Sequence, residues 1–245
     1  MNTISLSCKE FLSYHNTNRI VCLLARSYID MGMKLLQSQH WETQYYSLSL
    51  DLHQMSAKVA FGNGDIGTMS KCLEEILSHS KTLEDGLNAS ALLTKLMEQR
   101  GDIKEAIANC LSILSHLGEE FPQKAGLPDA LNELAALQPL LKTITAEHIK
   151  SLPKMADTNT TKMNAMKFLS MACAYCAISE PVLLPLLACR MVKITMAHGF
   201  CEESIIGLVQ CAYSIVSIFD TNHFIVVPES SQGNLAQWNY PYLKY

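Results

Sequence analysis

Apolar residues recur along this chain at three- and four-residue steps. After Gly101 they fall at Ile103, Ala106, Ile107, Cys110, Leu111, Leu114 and Leu117, which is one stripe of an α-helix. A second stripe runs through Ile66, Met69, Leu73, Ile76 and Leu77, and a third through Leu87, Ala91, Leu92, Leu96 and Met97. The spacing predicts helix, short Gly-Asp turn, helix. Gly suits the left-handed end of the first helix, and Asp can cap the second by accepting a backbone N–H. Upstream, "NRIVCLLARSYIDMGMKLLQ" and "ETQYYSLSLDLHQMSAKVAF" carry two more helical patterns. Downstream, "PDALNELAALQPLLKTI" reads as a helix with Pro139 near its end, followed by "AEHIKSLPKM". Three or four helices are expected from Asn159 to Asp220, broken at Glu180-Pro181 and near His198-Gly199.

Two of these stripes repeat a phrase. "GDIGTMSKCLEEILSHS" starts at Gly64 and "GDIKEAIANCLSILSHL" starts 37 residues later, with Ile-Leu-Ser-His at the same place in both. A single helix pair cannot bury its apolar stripe, and stacking on a copy of itself does so. The period is close to the about 34 residues of a tetratricopeptide repeat. "GDIKEAIANCLSIL" resembles the second helix of that repeat. The first copy departs from it, with Met69 where the repeat has a small Ala. The expected fold is therefore all-α: an α-solenoid of stacked antiparallel helix pairs, tetratricopeptide-like. The expected organisation is an N-terminal segment at 1–19 and tetratricopeptide-like repeats at 20–150. A further helical segment follows at 151–221, then an irregular tail at 222–245. That last stretch, rich in aromatics, Pro and polar residues, has no helical period beyond a short extended piece at Phe224–Val227.

Composition agrees with a helical globular chain. Of 245 residues, 49% are hydrophobic and 17% charged, with only 11 Gly and 8 Pro; such a chain can bury a core. A net charge of −4 without a Lys or Arg block gives no footprint for nucleic acid or anionic lipid. The nine cysteines lie in apolar runs and no signal peptide precedes them. They read as small core residues in a reducing, cytoplasmic setting. Asn88-Ala89-Ser90 and Asn159-Thr160-Thr161 are then chance sequons. The longest apolar run, Ser204–Phe219, is 16 residues, short of the about 20 a membrane span needs.

The search for chemistry returns little. There is no Gly-Lys dipeptide for a phosphate loop, and no H-R-D, D-F-G, G-x-S-x-G or H-E-x-x-H, so no reaction is indicated. Cys173-x2-Cys176 with His198-x2-Cys201 has the composition of a zinc site. The first pair sits inside an apolar helical run without knuckle turns, so core cysteines are expected instead. His79 and His116 hold equivalent repeat positions. A pair of ligands or switches is one reading; helix-end imidazoles complementing the dipole is the favoured one. Trp41 is read as a packing residue before an interface anchor. Glu74-Glu75 and Glu119-Glu120 are expected on solvated faces. No catalytic, cofactor-binding or metal-binding residue is assigned, and no cofactor is expected.

Three stretches resemble a known family. "HWETQYYSLSLDLHQMSAKVAFGNGD" looks like the start of the helical-repeat region of very large multidomain signalling proteins. In these a serine/threonine kinase-like domain and an AAA-type ATPase precede the helical region, and a GAF domain and a histidine kinase or cyclase often follow. "SLPKM", Ser151 to Met155, resembles the family's Leu-Pro-x-Met element. "LLACRMVKITMAHGFCEESIIGLVQCAYSIV" resembles the helices that follow it. The resemblance covers roughly residues 20 to 219, with the three landmarks in order. It implies a non-enzymatic interaction or regulatory module between ATPase and output domains. Its partner would be a protein or those neighbouring domains. Alternatives are a small-molecule-sensing helical domain, with its pocket around Met166 to Met196, or a truncated fragment of such a kinase without activity of its own.

Overall fold

The structure, a computed structural model, describes residues 26–36, 41–122 and 124–219. The expected segments at 1–19 and 222–245 lie outside the described residues. Within them the fold is all-α, with no strand. The helices are α1 (26–36), α2 (Tyr46–Gly62), α3 (Ile66–His79), α4 (Leu83–Arg100) and α5 (Ile103–His116). They continue as α6 (Leu127–Leu141), α7 (Ala146–Ser151), α8 (Thr160–Ser179), α9 (Leu184–His198) and α10 (Ser204–Phe219). The chain forms two compact units, divided between Arg100 and Gly101. In each, helices pack in pairs, the arrangement from which helical solenoids are built.

In the first unit α2, α3 and α4 pack on one another. Their shared core holds Ala57 and Ala60 of α2, Met69, Leu73 and Ile76 of α3, and Ala89 and Leu96 of α4. Met69 is wholly buried. This large side chain, standing where the repeat has a small Ala, sits in a core with three alanines, so the small residues lie on the partner helices instead. The α2–α3 turn explains the Gly-Asp phrase. Gly64 has φ 70°; its N–H donates to the Phe61 carbonyl, and the Asp65 N–H donates to that of Ala60. These two bonds close a helix end on a left-handed residue. Asp65 then caps α3, its Oδ1 accepting from the Thr68 N–H at 3.0 Å. Gly101 also has positive φ, 84°, but the Asp102 side chain makes no such cap bond.

Two phase details differ from expectation. Leu77 is 40% exposed and lies at the edge of the α3 stripe. On α4 the buried positions are Gly86, Leu87, Ala89, Thr94 and Leu96, while Ala91, Leu92 and Met97 are half-buried. On α5, Ala106, Ile107, Cys110 and Leu114 are buried as expected, joined by Ile113.

In the second unit α5 lies on α8 and α6 on α9, while α8 and α9 pair with each other and α10 packs on α9. One core joins Leu134 and Leu137 of α6, Ala188, Cys189 and Val192 of α9, and Cys211 of α10. α8 ends at Ser179 and α9 begins at Leu184, after Glu180 and Pro181. α9 ends at His198, with Gly199 at φ 100°. Beyond it the Leu152-Pro153-Lys154-Met155 segment pairs with Phe200. The Phe200 N–H donates to the Pro153 carbonyl and the Met155 N–H to the Phe200 carbonyl, each at 2.8 Å. This is a single bridge between Lys154 and Phe200. A Cβ on Gly199 would stand 2.6 Å from the Pro153 oxygen, so only glycine allows that approach.

Candidate functional site

The most developed surface feature lies in the first unit. A groove of about 670 Å³ runs among α1, α2 and α3. Asp30 and Lys34 line it from α1, His53 from α2, Lys71 and Glu75 from α3, together with Trp41. Helical periodicity puts these groups there. His53 is on the inward stripe of α2 and is buried. Lys71 and Glu75 are exposed, one turn apart on α3.

Trp41 is the centre of a small network. Its ring stacks on His79 at 4.6 Å with a 3° tilt, and on His53 at 4.9 Å with a 28° tilt. Its Nε1–H donates to Glu75 Oε2 at 3.1 Å. His53 Nδ1 lies 2.8 Å from the Ser49 carbonyl; that carbonyl can only accept, so Nδ1 carries the proton. The residue is half-buried, with one polar edge held by a carboxylate. This is neither a core residue nor a free anchor, and it lies between the two readings of it.

Arg26 closes one side. Its Nη1 donates to Asp65 Oδ2 at 2.7 Å. The Thr68 N–H, and after it the Arg26 guanidinium, hold the Asp65 carboxyl down to about 2. The cap of α3 is thereby tied to α1. A second corner joins α2 to α4. Tyr46 Oη donates to Asp85 Oδ2 at 2.7 Å and accepts from the Lys81 N–H at 2.9 Å. Asp85 also accepts from the Thr82 N–H at 3.0 Å, and its own N–H donates to Thr82 Oγ1 at 3.3 Å. Thr82-x-x-Asp85 is a capping box that was present in the sequence pattern.

His79 and His116 behave alike at their backbones. His79 Nδ1 lies 3.0 Å from the Glu75 carbonyl and His116 Nδ1 lies 2.7 Å from that of Ser112. Each is a bond back to the carbonyl four residues earlier, in the last turn of its helix, the end that favours a basic side chain. His79 adds the stack on Trp41.

The structure keeps the four zinc candidates apart in role. Cys173 and Cys176 are wholly buried in α8, and Cys173 Sγ faces Met191 Sδ at 3.8 Å. Burial pushes both thiols up to about 12, away from the thiolate that a metal requires. His198 is exposed at the end of α9, and Cys201 Sγ lies 3.5 Å from Ser204 Oγ. Among the described residues no three His, Cys, Asp or Glu groups cluster as metal ligands. Met166, Cys189 and Met191, in the stretch read as a sensor pocket, are also wholly buried. Contact with the Cys211 thiol, together with burial, raises the Cys189 thiol.

One expectation is corrected. Glu119 is not on a solvated face; its side chain is 5% exposed and bonds Lys162 Nζ and Arg190 Nη1, each at 2.5 Å. Burial alone would raise its carboxyl, but the two cations outweigh it and hold the group below the usual range. Arg190 also lies over the Phe121 ring at 5.1 Å. The pair Glu119-Glu120 is thus split, with Glu120 exposed.

Comparison with protein-family models, curated proteins and solved structures finds no match to this chain. Among the described residues no helix is long and apolar enough to cross a membrane.

Proposed function

We propose that the chain is a non-enzymatic helical-repeat module that binds a protein segment and regulates a larger signalling assembly. One observation carries this: the groove of about 670 Å³ beside Trp41, walled by three helices. Its rim offers both charge signs, Asp30 and Glu75 against Lys34 and Lys71. Its aromatic residue is held rigid by His79 and Glu75. Rigid, half-exposed tryptophans are the side chains that dominate protein interfaces. The resemblance to multidomain kinases favours an ATPase or kinase domain as the partner. Six of the seven described cysteines are buried core residues, which supports a reducing, cytoplasmic setting.

The test is direct binding. The full chain is titrated against purified AAA-type ATPase and kinase domains of that protein class by calorimetry. Trp41→Ala is expected to weaken binding about tenfold or more with unchanged helical circular dichroism. Absence of binding to every such domain, or equal binding by the variant, would overturn the proposal.

A further inference from the structure

The charges that line the Trp41 groove are not equivalent. Its two carboxylates are already engaged within the protein. Glu75 accepts the Trp41 Nε1–H at 3.1 Å and lies 3.6 Å from His79 Nδ1. Asp30 lies 3.9 Å from Arg26 Nε, one turn earlier on α1. The two ammonium groups differ. Lys34 lines the groove from α1 and Lys71 from α3, and both are exposed. Among the described residues neither forms a hydrogen bond or an ion pair. The neutral part of the wall is largely carbon. Trp41 has given its N–H to Glu75, so the uncovered part of the indole offers ring carbon alone, and the half-buried Met33 lines the same groove.

We infer that the segment this groove takes is acidic, with carboxylates on Lys34 and Lys71 and an apolar side chain against Trp41 and Met33. The inference rests on the reading of the groove as a protein-binding site and names the chemistry of its occupant. Charge complementarity selects it. A carboxylate brought to Lys34 or Lys71 meets a cation that no groove side chain neutralises. A basic segment would set like charges against both lysines, and the carboxylates it needs are held by Trp41, His79 and Arg26. A phosphate group fits less well, because it favours arginine forks and open helix N-termini. Here Arg26 already bonds Asp65 at 2.7 Å, and the Thr68 N–H at the start of α3 is taken by Asp65. Lysine is a compact point charge suited to a single carboxylate. A volume of about 670 Å³ matches the side chains of a short segment.

A random library of short displayed peptides, selected on the immobilised full chain and followed by calorimetry of the selected peptides, tests it. These peptides are expected to be rich in Asp and Glu around an apolar residue. Lys34→Gln with Lys71→Gln is expected to weaken them about fivefold or more with helical circular dichroism unchanged. The charge-reversed chain, Lys34→Glu with Lys71→Glu, is expected to select basic peptides instead. Neutral or basic peptides selected on the unmodified chain overturn the inference. So do acidic peptides that lose no affinity in the double Gln variant. Where such peptides still lose affinity in Trp41→Ala, the groove reading stands without the acidic occupant. Peptides indifferent to Trp41→Ala as well, or no selected peptide at all, overturn both.

Discussion

Gly207 of α10 passes Met191 of α9 so closely that a Cβ on Gly207 would stand 2.5 Å from the Met191 Cβ. The helix pair depends on that missing atom. Gly207→Ala is expected to destabilise by about 1–3 kcal/mol, as overpacked cores do. Gly67 provides the contrast. Its added Cβ would meet nothing nearer than Asp65 Oδ1 at 3.8 Å, so Gly67→Ala in α3 is expected to stabilise by up to about 1 kcal/mol. Paired urea titrations read both signs.

Leu114 is fully buried on α5. Leu114→Ala should cost about 2–5 kcal/mol through lost transfer energy and the cavity left behind. A loss below about 0.5 kcal/mol, the range of surface sites, would mean that the helix is turned differently.

Asp65 sets an acid limb. Its carboxyl titrates at about 2, below its ordinary 3.8, so the folded chain takes up this proton less readily than the unfolded one. The stabilisation is complete above the ordinary carboxylate range and is lost as pH falls from about 4 towards the folded value. Asp65→Asn keeps a cap acceptor but removes the charge that pairs with Arg26. Its melting temperature is expected to fall less steeply than that of the unmodified chain across this window.

Glu119 bonds two partly buried cations, Lys162 and Arg190. Glu119→Gln should cost about 1–3 kcal/mol, because both lose their anion without gaining water freely. Glu120→Gln, on the exposed neighbour, is expected to change little. Thermal unfolding of the two variants separates them.

Local signals were legible in the sequence and distant ones were not. The stripe of α5, the break at Glu180-Pro181 and the end of α9 at Gly199 all depend on residues within one or two turns. Glu119 was misread because its partners lie 43 and 71 residues further on, and nothing near Gly118 announces them. The Trp41 network failed for the same reason. Glu75 and His79 come from a different helix, and a Trp at a helix junction looks alike whether it packs or binds. Met69 was judged against the small residue of a repeat pattern, while the compensating Ala57 and Ala60 stand on another helix. The Thr82-x-x-Asp85 box is the exception, a purely local signal that could have been read.

The bridge between Pro153–Met155 and Phe200 joins two stretches outside any helix through two backbone bonds of 2.8 Å. Loop amides usually exchange with solvent quickly, but these two are fastened to each other across the fold. The N–H groups of Met155 and Phe200 should therefore outlast those of the neighbouring turns in deuterium. Gly199→Ala, whose new Cβ would press on the Pro153 oxygen, should release both together. One small residue thus decides whether a loop and a helix end unfold as one cooperative unit or as two.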